Sequence, residues 1–483
     1  MRLKFWKKDK TQKRKFEAAE LEDRIVGLWK SFNIDYNSEL SGSIARIRDR
    51  ARDLCHNNDY AARYLSILQT EVIGEKGIQL NSNVKVGSEQ QRKELNDDIE
   101  AHWKRWGEKG SCEITGKYSF VEFQKIVMSS LARDGEVIIK KIRGADNNPY
   151  SYSLQLLDPW CLDEHYHQEF VSRSNKNRVV MGIEIDEYSR PVAYWLKHKI
   201  IGTSGQEFEY RRYDRKDIIH LFRSKRPDAI REVSWLAPSA RRLKMLKAYE
   251  EAETTAARVA ASKAFAIIEK DLVTSTGYGG ETKRKKMNPQ LEMKPGQGLK
   301  LPAGMDIKML DPTHPQGNFS AFVTKQLQAV AAGWNLSYHT LTGDLSEANF
   351  ASSRQGSLAE RDEWRGIQGF LKDSMMLEIY RDWLSMAVLT RAQTGFKLTA
   401  SRAIFADTPL WIPKSYPWID PLKDIRAEIL AEKAGITSKS IICSQRGHDF
   451  NDVCDQRARE RKKLEGAGLI EDEKRQPEGQ TTQ

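Results

Sequence analysis

The hydrophobic period of this chain changes twice, and those changes restrict its architecture more than any other feature. From Ser43 to Val72, the residues Ile44, Ile47, Ala51, Leu54, Ala61, Leu65 and Leu68 recur at spacings of three, four and seven, with one slip at Asn57-Asn58. That is the pattern of an amphipathic helix with a break. Further helices are predicted over Gln90 to Trp106 and from near Ser119 to just before Asp134-Gly135. The period then drops to that of a strand. Glu136 to Lys140, Tyr152 to Leu156, Val180 to Ile185, Val192 to Leu196 and Ile218 to Phe222 are short, β-prone and separated by turn residues. The centre of the first half is therefore read as a sheet. Pro238 opens a new helical run to about Ile268, with Leu243, Leu246, Tyr249, Ala252, Ala256, Ala260 and Ala264 along one face. Proline suits a first helical turn because its missing N–H has no partner there anyway. The later alanines permit close approach of another helix, and at 1.5 Å per residue the run spans roughly 40 Å.

Beyond it, Thr274 to Lys286 is polar and glycine-bearing, and Gly298 to Pro315 holds short β-like pieces among prolines. Asn318 is placed to cap a helix along Phe319, Phe322, Val323, Leu327, Val330 and Ala331, closed by Gly333. Residues 334–352 read as an extended loop. A long helix from about Ser353 to Thr390 passes through Leu358, Trp364, Ile367, Met375, Ile379 and Trp383. Pro413, Pro417 and Pro421 mark a linker, two or three short helices follow to Gly466, and the tail after Glu471 is polar and expected to be disordered. The class is α+β.

A length of 483 residues is enough for two or three domains. No stretch reaches the 18 or so uncharged apolar residues of a membrane span, and no apolar segment of signal-peptide type follows the basic N-terminus, so a soluble intracellular product is expected. The net charge is +11, but residues 1–15 hold eight Lys or Arg against one Asp, leaving only +4 for the remainder. A basic arm of this kind is as well explained by solubility as by a nucleic-acid contact. Five cysteines (Cys55, Cys112, Cys161, Cys443 and Cys454) are widely spaced without a C-x-x-C, which fits reduced thiols.

Enzymatic chemistry finds little purchase. Gly110 to Lys117 has five residues between its glycines, where a phosphate-binding loop has four, and Tyr118 stands where Ser or Thr should bind magnesium. An ATPase is disfavoured. Cys161, Asp163, His165 and His167 alternate, so a strand would set these metal-ligand types on one face. The segment follows Asp158-Pro159 and is polar on both sides, which favours a solvated loop. Cys443, His448 and Cys454 form a weaker set. Glu184 and Asp186 are the best carboxylate pair for a nuclease, against the plainer reading of a hairpin's exposed side. No G-x-S-x-G elbow occurs. No catalytic residue, metal or cofactor is expected.

Several segments, in order, are similar to the portal proteins of lambda-like tailed phages. They are Arg48-Asp-Arg-Ala-Arg-Asp-Leu54 with Asn57-Asn58-Asp-Tyr-Ala-Ala-Arg63, Val72-Ile-Gly74 and Gly77-Ile-Gln-Leu80; Leu154-Gln-Leu-Leu-Asp158-Pro159; Gly182-Ile-Glu-Ile-Asp186 with Arg190-Pro-Val-Ala-Tyr-Trp-Leu196; Ile218 to Phe222; and Trp235-Leu-Ala-Pro238. Asp306-Ile-Lys308 with Asp311-Pro-Thr-His-Pro315, Leu341-Thr-Gly-Asp-Leu-Ser-Glu347 and Trp418-Ile-Asp-Pro421 complete the series. Together they span residues 43–466.

The resemblance implies a ring-forming portal fold: a basic arm (1–40), a wing of helices and mixed sheet (41–235), a first stem helix (236–265), a small β-containing clip (266–316) and a second stem helix (317–333). A tunnel loop (334–352), a long helix returning to the wing (353–415), a helical crown (416–470) and a tail (471–483) would follow. It implies a structural head–tail connector rather than an enzyme, a virion component at the capsid vertex that assembles in the host cytoplasm. The ring, typically of twelve copies, would pass double-stranded DNA during packaging and ejection. Its other partners would be the terminase large subunit, head–tail adaptors, and major capsid and scaffold proteins, with no membrane. Thr342, Asp344, Ser346, Glu347, Asn349 and Ser352 would face DNA from the tunnel loop. Lys283, Arg284, Lys285 and Lys286 would offer the clip to motor or adaptor. Few cations in the tunnel loop suits sliding, because phosphate neutralisation gives tight, salt-dependent binding. The alternatives are a metal-dependent nucleic-acid enzyme of a phage or mobile element, built on Glu184, Asp186 or the 161–167 cluster, and a host scaffolding oligomer with no DNA role.

Overall fold

A computed structural model describes residues 22–23, 27–28, 34–172, 176–200, 207–261, 265–269, 305–309, 319–346, 350–416, 421–446 and 450–466. The first helices are α1 (Tyr36–Ser41), α2 (Ile44–Asn57) and α3 (Asp59–Leu68). The slip in the sequence pattern is the α2–α3 break. Asn58 is extended (φ −135°, ψ 122°), and its side chain accepts a hydrogen bond from the Ala61 N–H, ending one helix and capping the next. A π-helical turn, Gln69–Ile73, prolongs α3 to Gly74. After β1 (Gln79–Asn81), α4 (Glu89–Trp106) and α5 (Phe120–Asp134) each open on a capping box, Ser88 with Gln91 and Ser119 with Glu122. Helix α5 closes at Gly135 (φ 89°), where a Cβ would lie 2.3 Å from the Val233 carbonyl carbon, so a side chain there meets backbone.

The strands β2 (Glu136–Arg143), β3 (Tyr152–Leu157), β4 (Arg178–Val180), β5 (Ile183–Ile185), β6 (Pro191–Lys199), β7 (Phe208–Asp214) and β8 (Ile218–Phe222) form two antiparallel sheets rather than one. Their orders are β8-β2-β3 and β4-β5-β6-β7. The run Val180 to Ile185, expected as one strand, is folded back at Met181 (φ 50°) and Gly182 (φ 81°). Consecutive left-handed residues make a tight hairpin whose twist matches that of the strands.

Helix α6 (Ala237–Ala261) stops short of the expected end near Ile268. Phe265–Glu269 is instead β9, paired antiparallel with β10 (Met305–Met309) from Phe265↔Met309 to Glu269↔Met305. Aromatic and β-branched side chains favour that outcome once a partner strand exists. Helix α7 (Phe319–Gly333) returns alongside α6. Tyr249 meets Phe319 at 5.6 Å and Phe322 at 5.0 Å between ring centroids, and Arg242 donates to Gln326 at 2.7 Å. The residues expected as one extended loop contain α8 (Tyr338–Thr342), and α9 (Phe350–Leu371) starts before Ser353. A π-helical turn, Lys372–Met376, joins α9 to α10 (Leu377–Leu389). The short β11 (Leu410–Ile412) pairs with β1, and α11 (Pro421–Lys433), α12 (Lys439–Gln445) and α13 (Phe450–Gly466) follow.

One large core joins α3, α4 and α5 to α9 and α10. Trp103 is central to it, with ring centroids 4.9 Å from Trp106, 5.0 Å from Trp383 and 5.3 Å from Phe120. A smaller core around Leu40, Ile44, Ile138, Leu162, Tyr194, Leu196 and Ile218 binds the four-stranded sheet to α1 and α2. Near the start of β2, where the two cores meet, lie the fully buried Glu136 and Arg231, joined as an ion pair.

Candidate channel and assembly surfaces

The segment after α7 is tied down before it is exposed. Trp334, Leu336 and Leu341 are buried, and Trp334 stacks on Tyr64 with centroids 4.7 Å apart. Ser337 caps α8; its N–H donates to Glu360 at 2.5 Å, and the Thr340 hydroxyl donates to the same carboxylate at 3.0 Å. Arg63 donates to the Thr340 carbonyl at 3.2 Å. The chain leaves α8 through Gly343 (φ 77°) into a turn built by Asp344. One carboxylate oxygen of Asp344 accepts from the Ser346 hydroxyl (2.7 Å) and N–H (3.0 Å), the other from Tyr338 (3.2 Å). The Ser346 hydroxyl chiefly, with its N–H, holds the Asp344 carboxyl below its usual range. Thr342 is half-buried with its hydroxyl donating to the Tyr338 carbonyl, whereas Asp344 and Ser346 are exposed. Glu347 and Asn349 lie outside the described residues, and Ser352 stands in α9 rather than in a loop. Leu345, absent from the sequence-based set, is 66% exposed at the tip of this turn. Its signal was an apolar residue isolated between two acids.

Among its described side chains, the α6–α7 pair is buried only at its root. Leu243, Leu246, Leu327, Val330 and Ala331 are covered, and Gly333 approaches Ser239 so closely that a Cβ would lie 2.8 Å from its hydroxyl. A groove of about 550 Å³ runs between the helices, floored by Met245, Leu246, Tyr249 and Phe322, with Arg241 and Arg242 beside it. Met245 and Phe322 are 63% and 45% exposed. The clip cations Lys283, Arg284, Lys285 and Lys286 lie outside the described residues. In α11 and α12, Ile425, Ile429, Leu430 and Ile441 are exposed, and Lys93 pairs with Asp455 to hold α13 against α4.

The chemical alternatives do not converge. Asp163 accepts from the Tyr210 hydroxyl at 2.5 Å and from the backbone N–H of His165 at 2.9 Å, the His165 ring is exposed, and burial pushes the Cys161 thiol up to about 12. Glu184, expected on an exposed hairpin side, is fully buried and engaged by Arg212 (2.8 Å) and Asn177 (2.9 Å). Asp186 instead closes the β5–β6 turn by accepting from the N–H groups of Tyr188 and Arg190. His448 lies outside the described residues, among which no three His, Cys, Asp or Glu side chains group as metal ligands. No described helix is long and apolar enough to cross a membrane.

Comparison with known proteins bears on the same elements. The chain is 30% identical to the probable portal protein of Halomonas phage phiHAP-1 over 471 residues, covering 96% of this chain and 89% of that one. It is 21% identical to the portal protein of Escherichia phage N15, covering 91% and 88%. Among solved structures, the neck of an empty gene transfer agent (GTA) particle computed with C6 symmetry is similar at 15% identity, with 83% of this chain and 91% of that chain covered and a TM-score of 0.41. The family model described as phage portal protein, lambda family, matches residues 22–368, a span that includes α1 to α8 and most of α9. With that match over most of its length, the chain belongs to the lambda family of phage portal proteins, structural and non-enzymatic components of the phage head.

Proposed function

We propose that this chain assembles as a homomeric ring, typically of twelve copies, at the capsid vertex, where it passes double-stranded DNA during packaging and ejection. The family match over residues 22–368 carries this reading. The uncovered Met245 and Phe322 on the α6–α7 pair support it, because side chains of this size facing water on adjacent helices are normally met by a partner. In this reading α6 and α7 are the stem, β9 and β10 begin and end the clip, and α8 with the turn at 343–346 is the tunnel element. Helices α11 to α13 form the crown. The clip would dock the terminase motor during packaging and tail adaptors afterwards, and the wing would meet capsid and scaffold proteins.

A closed ring of identical chains requires each copy to offer two different patches. Analytical ultracentrifugation of the purified full-length chain, with negative-stain microscopy, tests the reading. Rings with a central hole are expected. A chain that stays monomeric across concentration and salt would overturn it.

A further inference from the structure

We propose that the end of α10 and the segment after it, from Leu389 to Leu410, form a docking surface for an acidic amphipathic segment of another head protein. The inference rests on the reading that the wing meets other proteins of the head, and it names the chemistry of one such partner.

Four large apolar side chains stand out from this stretch. Leu389 is 75% exposed, Ile404 78%, Phe405 48% and Leu410 54%. Arg381, Ser385 and Leu389 follow one another at intervals of four along α10 and are all exposed, so they form one stripe of that helix. The later part of the stretch is fastened beside it. Ala400–Ala403 packs on α10, the Tyr380 hydroxyl donates to the Ala406 carbonyl at 3.0 Å, and Arg381 donates to the Asp407 carboxylate at 2.8 Å. Ile404 and Phe405 stand between these anchors, and Leu410 follows at the start of β11. Behind them Tyr380, Trp383, Ala387 and Ala406 are buried in the large core, so the exposed side chains have no room to fold inward.

The charge around these side chains has one sign. Arg391, Lys397 and Arg402 are exposed and make no ion pair among the described residues. The carboxylates bonded to the stretch are occupied: Asp407 holds Arg381, and Asp98 accepts from the Lys397 N–H at 2.9 Å. Cations without partners beside large apolar side chains match a segment that carries acids along an apolar stripe. A DNA duplex would engage the cations through its phosphates but leave the four apolar side chains in water. The surface therefore suits protein better than nucleic acid.

Fluorescence anisotropy with the full-length chain tests the contact. The probe is a fluorescein-labelled helical peptide of about 18 residues, with leucine along one face and glutamate and alanine over the rest. It should bind the wild-type chain, and more weakly as salt is raised. Ile404→Ser with Phe405→Ser, and separately Arg391→Glu with Arg402→Glu, should each weaken binding about tenfold or more. Both variants should still form rings, because the substituted side chains are exposed. No binding, or binding that these substitutions leave unchanged, would overturn the proposal. A short DNA duplex whose binding depends equally on Ile404 and Phe405 would overturn it in favour of nucleic acid. Loss of rings in the serine variant would overturn it in favour of a second copy as the occupant. A wild-type chain that forms no rings yet binds the peptide here would overturn the ring reading and uphold this one.

Discussion

The ion cluster at the start of β2 gives the most demanding test of how the two cores are held together. Glu136 and Arg231 are both fully buried. The Arg231 guanidinium donates to both Glu136 carboxylate oxygens, one of them at 2.9 Å, and its remaining nitrogen reaches the carbonyls of Leu162 (2.9 Å) and Met181 (3.2 Å). His220 lies 3.1 Å from the same carboxylate and Arg48 3.5 Å away. Burial alone would push the Glu136 carboxyl up, but Arg231 first and His220 with it reverse the direction and hold it at about 2. Arg231→Met leaves a buried carboxylate short of its main partner and two carbonyls without a donor, at a cost of about 3–5 kcal/mol.

Each 1.4 kcal/mol is a factor of ten, so local opening of the four-stranded sheet should rise roughly 100-fold to 1,000-fold or more. Hydrogen exchange across Ile183–Ile185 and Pro191–Lys199, corrected for intrinsic rates, reads that directly. Adding Glu136→Gln should recover part of the loss, because it removes the stranded charge. The pH dependence has a definite sign. A depressed carboxyl contributes stability above its unfolded pKa of about 4.3 and loses it as the pH falls towards 2. The wild-type sheet should therefore loosen below about pH 4, and the difference from Arg231→Met should shrink over the same range. Acceleration of less than tenfold at neutral pH would refute the assignment.

Gly135→Ala places a Cβ against the Val233 and Glu232 backbone at a φ of 89°, and should cost about 4 kcal/mol or more, seen as loss of soluble chain; wild-type yield would contradict the close approach. Deleting residues 342–349 removes the exposed turn but keeps Trp334, Leu336 and Leu341 buried, so the chain should fold with a near-native melting temperature while particles built from it fail to retain DNA. DNA-filled particles would remove the turn from the channel. Neutralising Lys283, Arg284, Lys285 and Lys286 together should weaken docking of the motor or adaptor in a pull-down and spare ring formation; loss of rings would place this segment between subunits instead.

Features set by neighbours a few residues apart were legible in the sequence. The helix start expected near Ser119 is there, closed by a capping box with Glu122 three residues on, and the Asn57-Asn58 slip is a real helix break with Asn58 as cap. The failures share a cause in long-range pairing. Phe265-Ala-Ile-Ile268 fits a helix or a strand, and only β10, whose Met305 pairs with Glu269 36 positions on, decides between them. The short α8 reads as polar loop because its support is Glu360, a side chain of α9. The candidate channel residues suffered the same way. Asp344 was visible as a polar residue near a glycine, but its carboxylate is spent on the turn, and the residue that turn presents is Leu345.

The distribution of burial along α6 and α7 carries a consequence for assembly. Every buried apolar side chain described on the pair lies at its root, on the first three turns of α6 and the last turns of α7. Farther out, Tyr249, Phe319 and Phe322 touch one another but stay partly exposed, and Ala252 faces water. Helices draw most of their stability from packing an apolar face rather than from propensity, so a pair with so little cover is only half of a core. In the proposed ring the neighbouring pairs complete it, and alanine at those positions lets them approach closely. Stem order and ring formation then become one equilibrium. Protection of backbone amides beyond Tyr249 should rise with chain concentration, while protection in α4 and α5, whose core is complete within one chain, should not change.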